Sequence, residues 1–373
     1  MEKRFTVDQK TLLNVLSSMQ PICSKRTALE ATSSILFQVG NKELILKSTD
    51  LEISLQATCP LIESSFDEEP QLFLAPGRRI FDIVKELNSS ISCSLSKNQL
   101  SLQSGAVSLS LNIKDAEEFP PFPEKIENIM HLNAPLLLKM IESVVFLIPQ
   151  NNANAALNGL LLEIKDQTLK MTTTDGHCLA QVDSEDVQYT ENKSWLLPRR
   201  AVYELKKILE TSEDQTIFLG TCLNQLVLSG ELFNFFTKLL ADQFPHYQSI
   251  LDKTLFKPAQ IDRSMFLKTL RRSVCILSGQ FVATKFTFKD ELLKVSIHNK
   301  EVGSLDEQIL LKNKIEYQMD IRFYSPYLLS GLQSFNKDTI TFYLKNSMSP
   351  IIFELSSDNY KMTYLVMPVS PSN

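Results

Sequence analysis

The sequence predicts an α+β protein of three repeated domains, each with two helices packed on antiparallel sheets. Its 373 residues suit two or three domains at roughly 100–200 residues each. Short motifs recur at a fixed spacing. Thr49-Asp50-Leu51 returns as Thr174-Asp175-Gly176 and Phe119-Pro120 as Phe244-Pro245, both at an offset of 125, and Met367-Pro368 follows 123 further on. Helix-start signals fall in the same frame, and alternating apolar and polar residues separate them. The repeat divides the chain at 1–125, 126–253 and 254–373.

The first helix of each segment opens on a capping residue. Asp8 precedes Leu12, Leu13, Val15 and Leu16; Asn133 with Ala134-Pro135 opens Leu136–Ile148; Asp262 opens Met265, Phe266, Leu270 and Val274. A carboxylate or amide oxygen there accepts from an otherwise unpaired N–H of the first turn. The second helix of each segment follows a proline: 78–87 after Pro76, 199–209 after Pro198, and 327–335 after Tyr324 with Pro326. Proline has the φ that a first turn needs and lacks an N–H that would go unpaired there. Period-two stretches, among them 44–46, 53–55, 100–102, 107–111, 227–228 and 339–342, read as half-buried strands, six to eight per segment. Hairpin-like spacing makes the sheets antiparallel.

Composition narrows the function. With 43% apolar and 22% charged residues the chain is globular. The six cysteines show no CxxC or zinc spacing and read as reduced, mostly buried residues. Ten scattered glycines write neither a phosphate-binding loop nor a dinucleotide fingerprint, so no cofactor and no metal is expected. No apolar run approaches a membrane span of about 20 residues, and the first ten residues lack a signal-peptide core. A soluble, cytoplasmic protein with no membrane partner is expected.

The net charge of −5 argues against a protein that coats nucleic acid with its whole surface. Its distribution says more. The helical spans 8–26, 76–87, 133–150, 198–210, 262–279 and 324–337 carry +9 together, which leaves −14 on the rest. Basic helices on an acidic body offer a local positive surface to a polyanion. Ordinary solvated helix faces also collect Lys and Arg.

Four stretches carry a resemblance: Thr174-Asp175-Gly176-His177-Cys178-Leu179-Ala180, Leu197-Pro198-Arg199-Arg200, Phe244-Pro245-His246-Tyr247 and Tyr364-Leu365-Val366-Met367-Pro368. In this order, with a threefold repeat, the whole chain resembles the bacterial sliding clamps, the beta subunits of DNA polymerase III. The resemblance implies the DNA clamp fold. It also implies a head-to-tail homodimer that encircles double-stranded DNA without reading sequence and gives processivity without catalysis. The implied partners are the DNA polymerase III alpha subunit, the clamp loader, and other DNA polymerases and repair proteins, which dock through short apolar peptides.

Residue by residue, the family's DNA-contacting positions match Arg26, Arg78, Asn151 and Arg199. Helix placement adds Lys10, Arg200, Lys206, Lys207 and Arg272. The partner-peptide cleft would gather Leu157, Thr174, Gly176, His177, Leu179, Pro245, Ile250, Phe281, Tyr327, Met348, Leu365, Met367, Pro368 and Val369. Apolar side chains with Met among them can hold aliphatic and aromatic anchors of several clients. The dimer interface would join the edge strand with Val107 and Leu109 to Ile276 and Leu277 at the end of a helix in the third domain. The chain departs from the family at four places. Ala155-Ala156 stand where aromatic residues are usual, Cys178 and Ser249 stand where basic residues are common, and the ending at 369–373 is longer.

Two other readings compete. A repeat scaffold could bind protein partners without encircling DNA. Asp175 beside His177 could form an acid–base pair. Asp50, at the same repeat position with no following His, points to a turn-capping role for Asp175 instead.

Overall fold

The computed structural model describes residues 3–23, 29–66, 69–123, 126–185, 189, 191–277 and 283–369. Among these are six α-helices: α1 (Gln9–Met19), α2 (Gly77–Glu86), α3 (Ala134–Val144), α4 (Arg199–Thr211), α5 (Arg263–Cys275) and α6 (Ser325–Gln333). All six begin within two residues of the expected starts. The three caps have one geometry: Asp8 Oδ1 accepts from Thr11 N at 2.9 Å, Asn133 Oδ1 from Leu136 N at 2.8 Å, and Asp262 Oδ1 from Met265 N at 2.9 Å. Except for α4, which runs to Thr211, the helices end earlier than the sequence suggested. Pro21 follows the end of α1, where it cannot continue a helix. Past α3 the run continues as one 3₁₀ turn, Val145–Leu147.

The chain forms two compact units, Met1–Leu138 with Tyr203–Leu239 (unit 1), and Lys139–Val202 with Leu240–Asn373 (unit 2). The middle repeat contributes strands to both. Unit 1 holds a twelve-stranded antiparallel sheet whose main path runs 107–112, 99–104, 91–96, 3–7, 53–64, 233–238, 225–229, 216–222 and 127–133. Strands 43–49, 34–39 and 71–76 extend it from 53–64. In unit 2, ten strands run 193–198, 159–165, 168–174, 178–184, 361–366, 351–356, 339–344, 257–262, 303–323 and 284–299.

One joint is built twice. In unit 1 the last strand of the second repeat, 233–238, pairs with 53–64 of the first, Phe235 opposite Leu55. In unit 2 the last strand of the third repeat, 361–366, pairs with 178–184 of the second, Tyr364 opposite Ala180. Each joint covers two strand edges that would otherwise invite aggregation. Helices α1 and α2 bury Leu12, Leu16, Ile80 and Val84, and α5 and α6 bury Phe266, Leu270, Leu328 and Leu332. A Cβ on Gly331 would overlap the Tyr364 ring, so glycine there lets α6 lie against strand 361–366.

Candidate functional site

The turn between strands 168–174 and 178–184 is organised by its own side chains. Asp175 Oδ1 accepts from the backbone N–H of His177 (2.8 Å) and of Cys178 (2.7 Å). Thr174 Oγ1 donates to the Cys178 carbonyl (2.6 Å) and accepts from Gly176 N (3.1 Å), while Gly176 takes φ +93°. The turn 125 residues earlier repeats it. Asp50 Oδ1 accepts from Glu52 N (2.9 Å) and Ile53 N (2.8 Å), Thr49 Oγ1 accepts from Leu51 N (3.1 Å), and Leu51 has φ 75°. Asp175 is therefore a turn cap. The His177 ring instead stacks on Tyr327, with centroids 5.7 Å apart and planes at 17°. Cys178 is buried, and burial, with the Asp175 carboxylate adding to it, pushes its thiol well above the ordinary range. Nothing in this constellation makes a nucleophile.

This turn forms one side of an apolar surface on unit 2. Leu179 and Leu365 are direct cross-strand partners and belong to a cluster with Ala156, Leu161, Leu196, Phe244, Tyr247 and Ile352. Leu157, Leu179 and Leu365 are buried and form its floor. Thr174 and Gly176 edge it, and Leu157 Cδ1 lies 4.0 Å from where a Gly176 Cβ would be. The backbone N–H of Met367 donates to His177 O (2.9 Å) and that of Val369 to Arg322 O (2.8 Å), which fixes Met367, Pro368 and Val369 along the same side. Met367, Ile250 and Met348 remain exposed at 39%, 40% and 70%, and Pro245 is exposed beside buried Phe244. Met348 stands on the loop leading into strand 351–356, which supplies Ile352 to the cluster. Phe281 lies outside the described residues. Ser249 is exposed, whereas buried Cys178 presents no group to the surface.

A polar support beneath this surface is absent from the residues singled out by sequence. Tyr247 OH donates to Glu163 Oε2 (2.7 Å) and accepts from Thr172 Oγ1 (3.2 Å) and Gln181 Nε2 (3.0 Å). Burial raises its pKa above the ordinary phenol value, and Glu163 adds to the rise. The phenol ties the 244–251 segment to the sheet. The motif Phe244-Pro245-His246-Tyr247 contained this residue, but its three partners come from strands that no local pattern brings together.

The six helices carry 13 Lys or Arg against 5 Asp or Glu, so the basic bias survives their shorter bounds. Lys10, Asn151 and Arg200 are exposed. Arg78, 65% exposed, lies 3.8 Å from Asp82. Arg199 Nε donates to Ile148 O (3.1 Å), which orients the first turn of α4. Lys206 pairs with Glu210, Lys207 with Glu204 (3.1 Å), and Arg272 with Glu307, so these three carry local carboxylates. Arg26 lies outside the described residues. Val107 and Leu109 are 47% and 39% exposed on an edge strand, and Ile276 and Leu277 are half-buried just past α5.

The chain matches three family models: the N-terminal domain of the DNA polymerase III beta subunit over residues 3–123, its central domain over 131–246, and its C-terminal domain over 248–370. It is 25% identical to the beta sliding clamp of Haemophilus influenzae over 370 residues and 27% identical to that of Pseudomonas aeruginosa over 375, covering 98% of this chain and 99% of each relative. Among solved structures it is similar to a Pseudomonas aeruginosa sliding clamp (TM-score 0.89, 24% identity, 99% of this chain and 100% of that one). The Bacillus subtilis clamp superposes equally well (TM-score 0.90, 21% identity, 100% of both). No described helix is long and apolar enough to cross a membrane. The family is one of non-catalytic processivity factors, and with models matching across all three repeats, this chain belongs to the DNA polymerase III beta subunit family, the bacterial sliding clamps.

Proposed function

We propose that two copies of this chain join head to tail into a ring of six repeats that encircles double-stranded DNA and tethers replication proteins to it. The observation that carries the reading is the twice-built joint. Each joint sets the last strand of one repeat against the central strand of the one before. One half of each kind remains over: strand 107–112, and residues 303–307 at the start of 303–323. Both are edges among the described residues. Leu109 pairs with Leu102 as Phe235 pairs with Leu228, so Leu109 takes the place of Phe235. Leu305 takes the place of Leu55 and Ala180. The repeat then supplies the register between copies: Leu109 opposite Leu305, Leu111 opposite Gly303, Val107 opposite Glu307. Ile276 and Leu277 would lie beside this seam.

In such a ring the basic helices face the duplex. Phosphate contacts from Arg78, Arg199, Arg200, Lys10 and, from their matched positions, Arg26 and Asn151 would hold without reading bases and weaken with salt. The unit 2 surface would take an apolar peptide from the DNA polymerase III alpha subunit, the clamp loader and other polymerases and repair proteins, one client at a time, in the cytoplasm. The domains run 1–125, 126–253 and 254–373 in this reading. Native mass with and without a short peptide bearing Gln, Leu and Phe anchors tests it. The expected species is a dimer that takes one peptide per chain; a monomer at micromolar concentration contradicts the ring.

A further inference from the structure

The repeat sets a counterpart of the unit 2 cleft on unit 1. Counting back 125 residues, Ala156, Leu161, Phe244 and Tyr247 become Ala31, Leu36, Phe119 and Phe122, all of which are packed in apolar clusters. The capped turn is the same. Even the backbone bond that pins the strand end recurs, from Lys238 N to Glu52 O at 2.9 Å, as from Met367 N to His177 O at 2.9 Å.

The two surfaces differ in continuity. In unit 2 one cluster runs from Ala156 through Leu179 to Leu365. In unit 1 it is broken in two: Ala31, Leu36 and Leu74 with Phe119, and Cys222, Val227 and Phe236 with Phe122. The break falls at Ser54, which stands in the place of Leu179 and whose hydroxyl is bonded to Thr49 Oγ1 at 2.7 Å. Three further replacements surround it. Thr32 stands for Leu157, the Leu51 side chain projects where Gly176 has none, and Lys238 stands for Met367. A hydroxyl pair in the floor and an ammonium at the rim both resist desolvation by an apolar anchor.

We propose that Leu51, Ser54 and Lys238 close the unit 1 surface to a peptide, so one chain takes one peptide although its repeat builds the frame twice. The inference rests on the peptide-cleft reading above. Gly176 is the sharpest position, because a side chain there would lie over Leu157. Leu51 shows that the same capped turn holds leucine at positive φ, so Gly176→Leu is compatible with the fold.

Titration of the full-length protein with a fluorescent peptide bearing Gln, Leu and Phe anchors, read by anisotropy and stoichiometry, tests the proposal. Wild type should bind one peptide per chain. Gly176→Leu should weaken binding at least tenfold with native mass and melting unchanged, and Leu51→Gly/Ser54→Leu/Lys238→Met should bind a second. Two peptides on wild type, wild-type affinity for Gly176→Leu, or a folded triple variant that still binds one would overturn it. If the triple variant does not fold, the Gly176→Leu result decides. A wild type that binds none contradicts the cleft reading itself and this proposal with it.

Discussion

The phenol of Tyr364 donates to the backbone carbonyl of Tyr327 at 2.7 Å and so ties the last strand of the chain to helix α6. Tyr364 is fully buried, its ring lies over Gly331, and Tyr327 carries the stacked His177 ring on its other side. Core, helix and the His177 turn meet at this pair. Tyr364→Phe leaves the Tyr327 carbonyl without this donor and should cost about 1–2 kcal/mol. Gly331→Ala forces ring and helix apart and should cost about 1–3 kcal/mol. Chemical denaturation checks both.

Replacing Asp175 should affect stability and not chemistry. Asp175→Ala strips the acceptor from two N–H groups and should cost about 1–2 kcal/mol, with Asp50→Ala costing a similar amount. Equal losses in the two turns, read by urea midpoints, are the expected outcome. A far larger functional defect for Asp175→Ala in an intact dimer would revive an acid–base role.

Acid should loosen the chain through specific carboxylates. The backbone N–H of Thr11 holds Asp8 below its ordinary value of 3.8, the N–H of Met265 does the same for Asp262, and the Arg272 guanidinium holds Glu307 below 4.5. These groups bind protons more tightly in the unfolded chain. Their stabilisation is therefore present above about pH 4–5 and is lost as pH falls through the lowered folded values. Glu307→Gln should flatten the acid limb of a stability–pH curve, measured by denaturation between pH 6 and 3.

DNA retention should respond to the basic helices unequally. Arg78→Ala or Arg200→Ala should each lower the slope of log affinity against log salt by about 0.9 if the residue meets one phosphate. Lys206, its side chain 23% exposed against 65% for Arg78, should change it less. Retention on closed circular DNA across a salt series measures the difference.

Tyr247→Phe should release the 244–251 segment from Glu163, Thr172 and Gln181. Peptide affinity should fall several-fold while native mass stays that of a dimer, since none of the three bonds involves strand 107–112 or residues 303–307. Unchanged affinity would show that packing of Phe244 alone holds the wall.

Helix starts, caps and the repeat were legible because each is encoded within a few residues. Asp8, Asn133 and Asp262 are short-range signals with one geometric solution. Strand assembly was less legible. The third repeat merges hairpin strands into 284–299 and 303–323, and the middle repeat divides its strands between two sheets, outcomes fixed by contacts far apart in sequence. On the unit 2 surface, the family resemblance pointed to the His177 turn and the Met367 tail, which a backbone hydrogen bond joins. The polar support of Tyr247 escaped it because Glu163, Thr172 and Gln181 are brought together only by sheet register. The burial of Cys178 fits the expectation of mostly buried cysteines, although period two does not say which face of 178–184 meets Tyr364.

Closure around DNA is what most directly separates an encircling ring from a protein scaffold. Protein loaded on nicked circular DNA by a clamp-loader fraction should stay bound through gel filtration and be released when the same DNA is linearised, because a ring slides off an end. Equal retention on circular and linear DNA, or none on either, would contradict an encircling clamp and favour a scaffold that binds proteins alone.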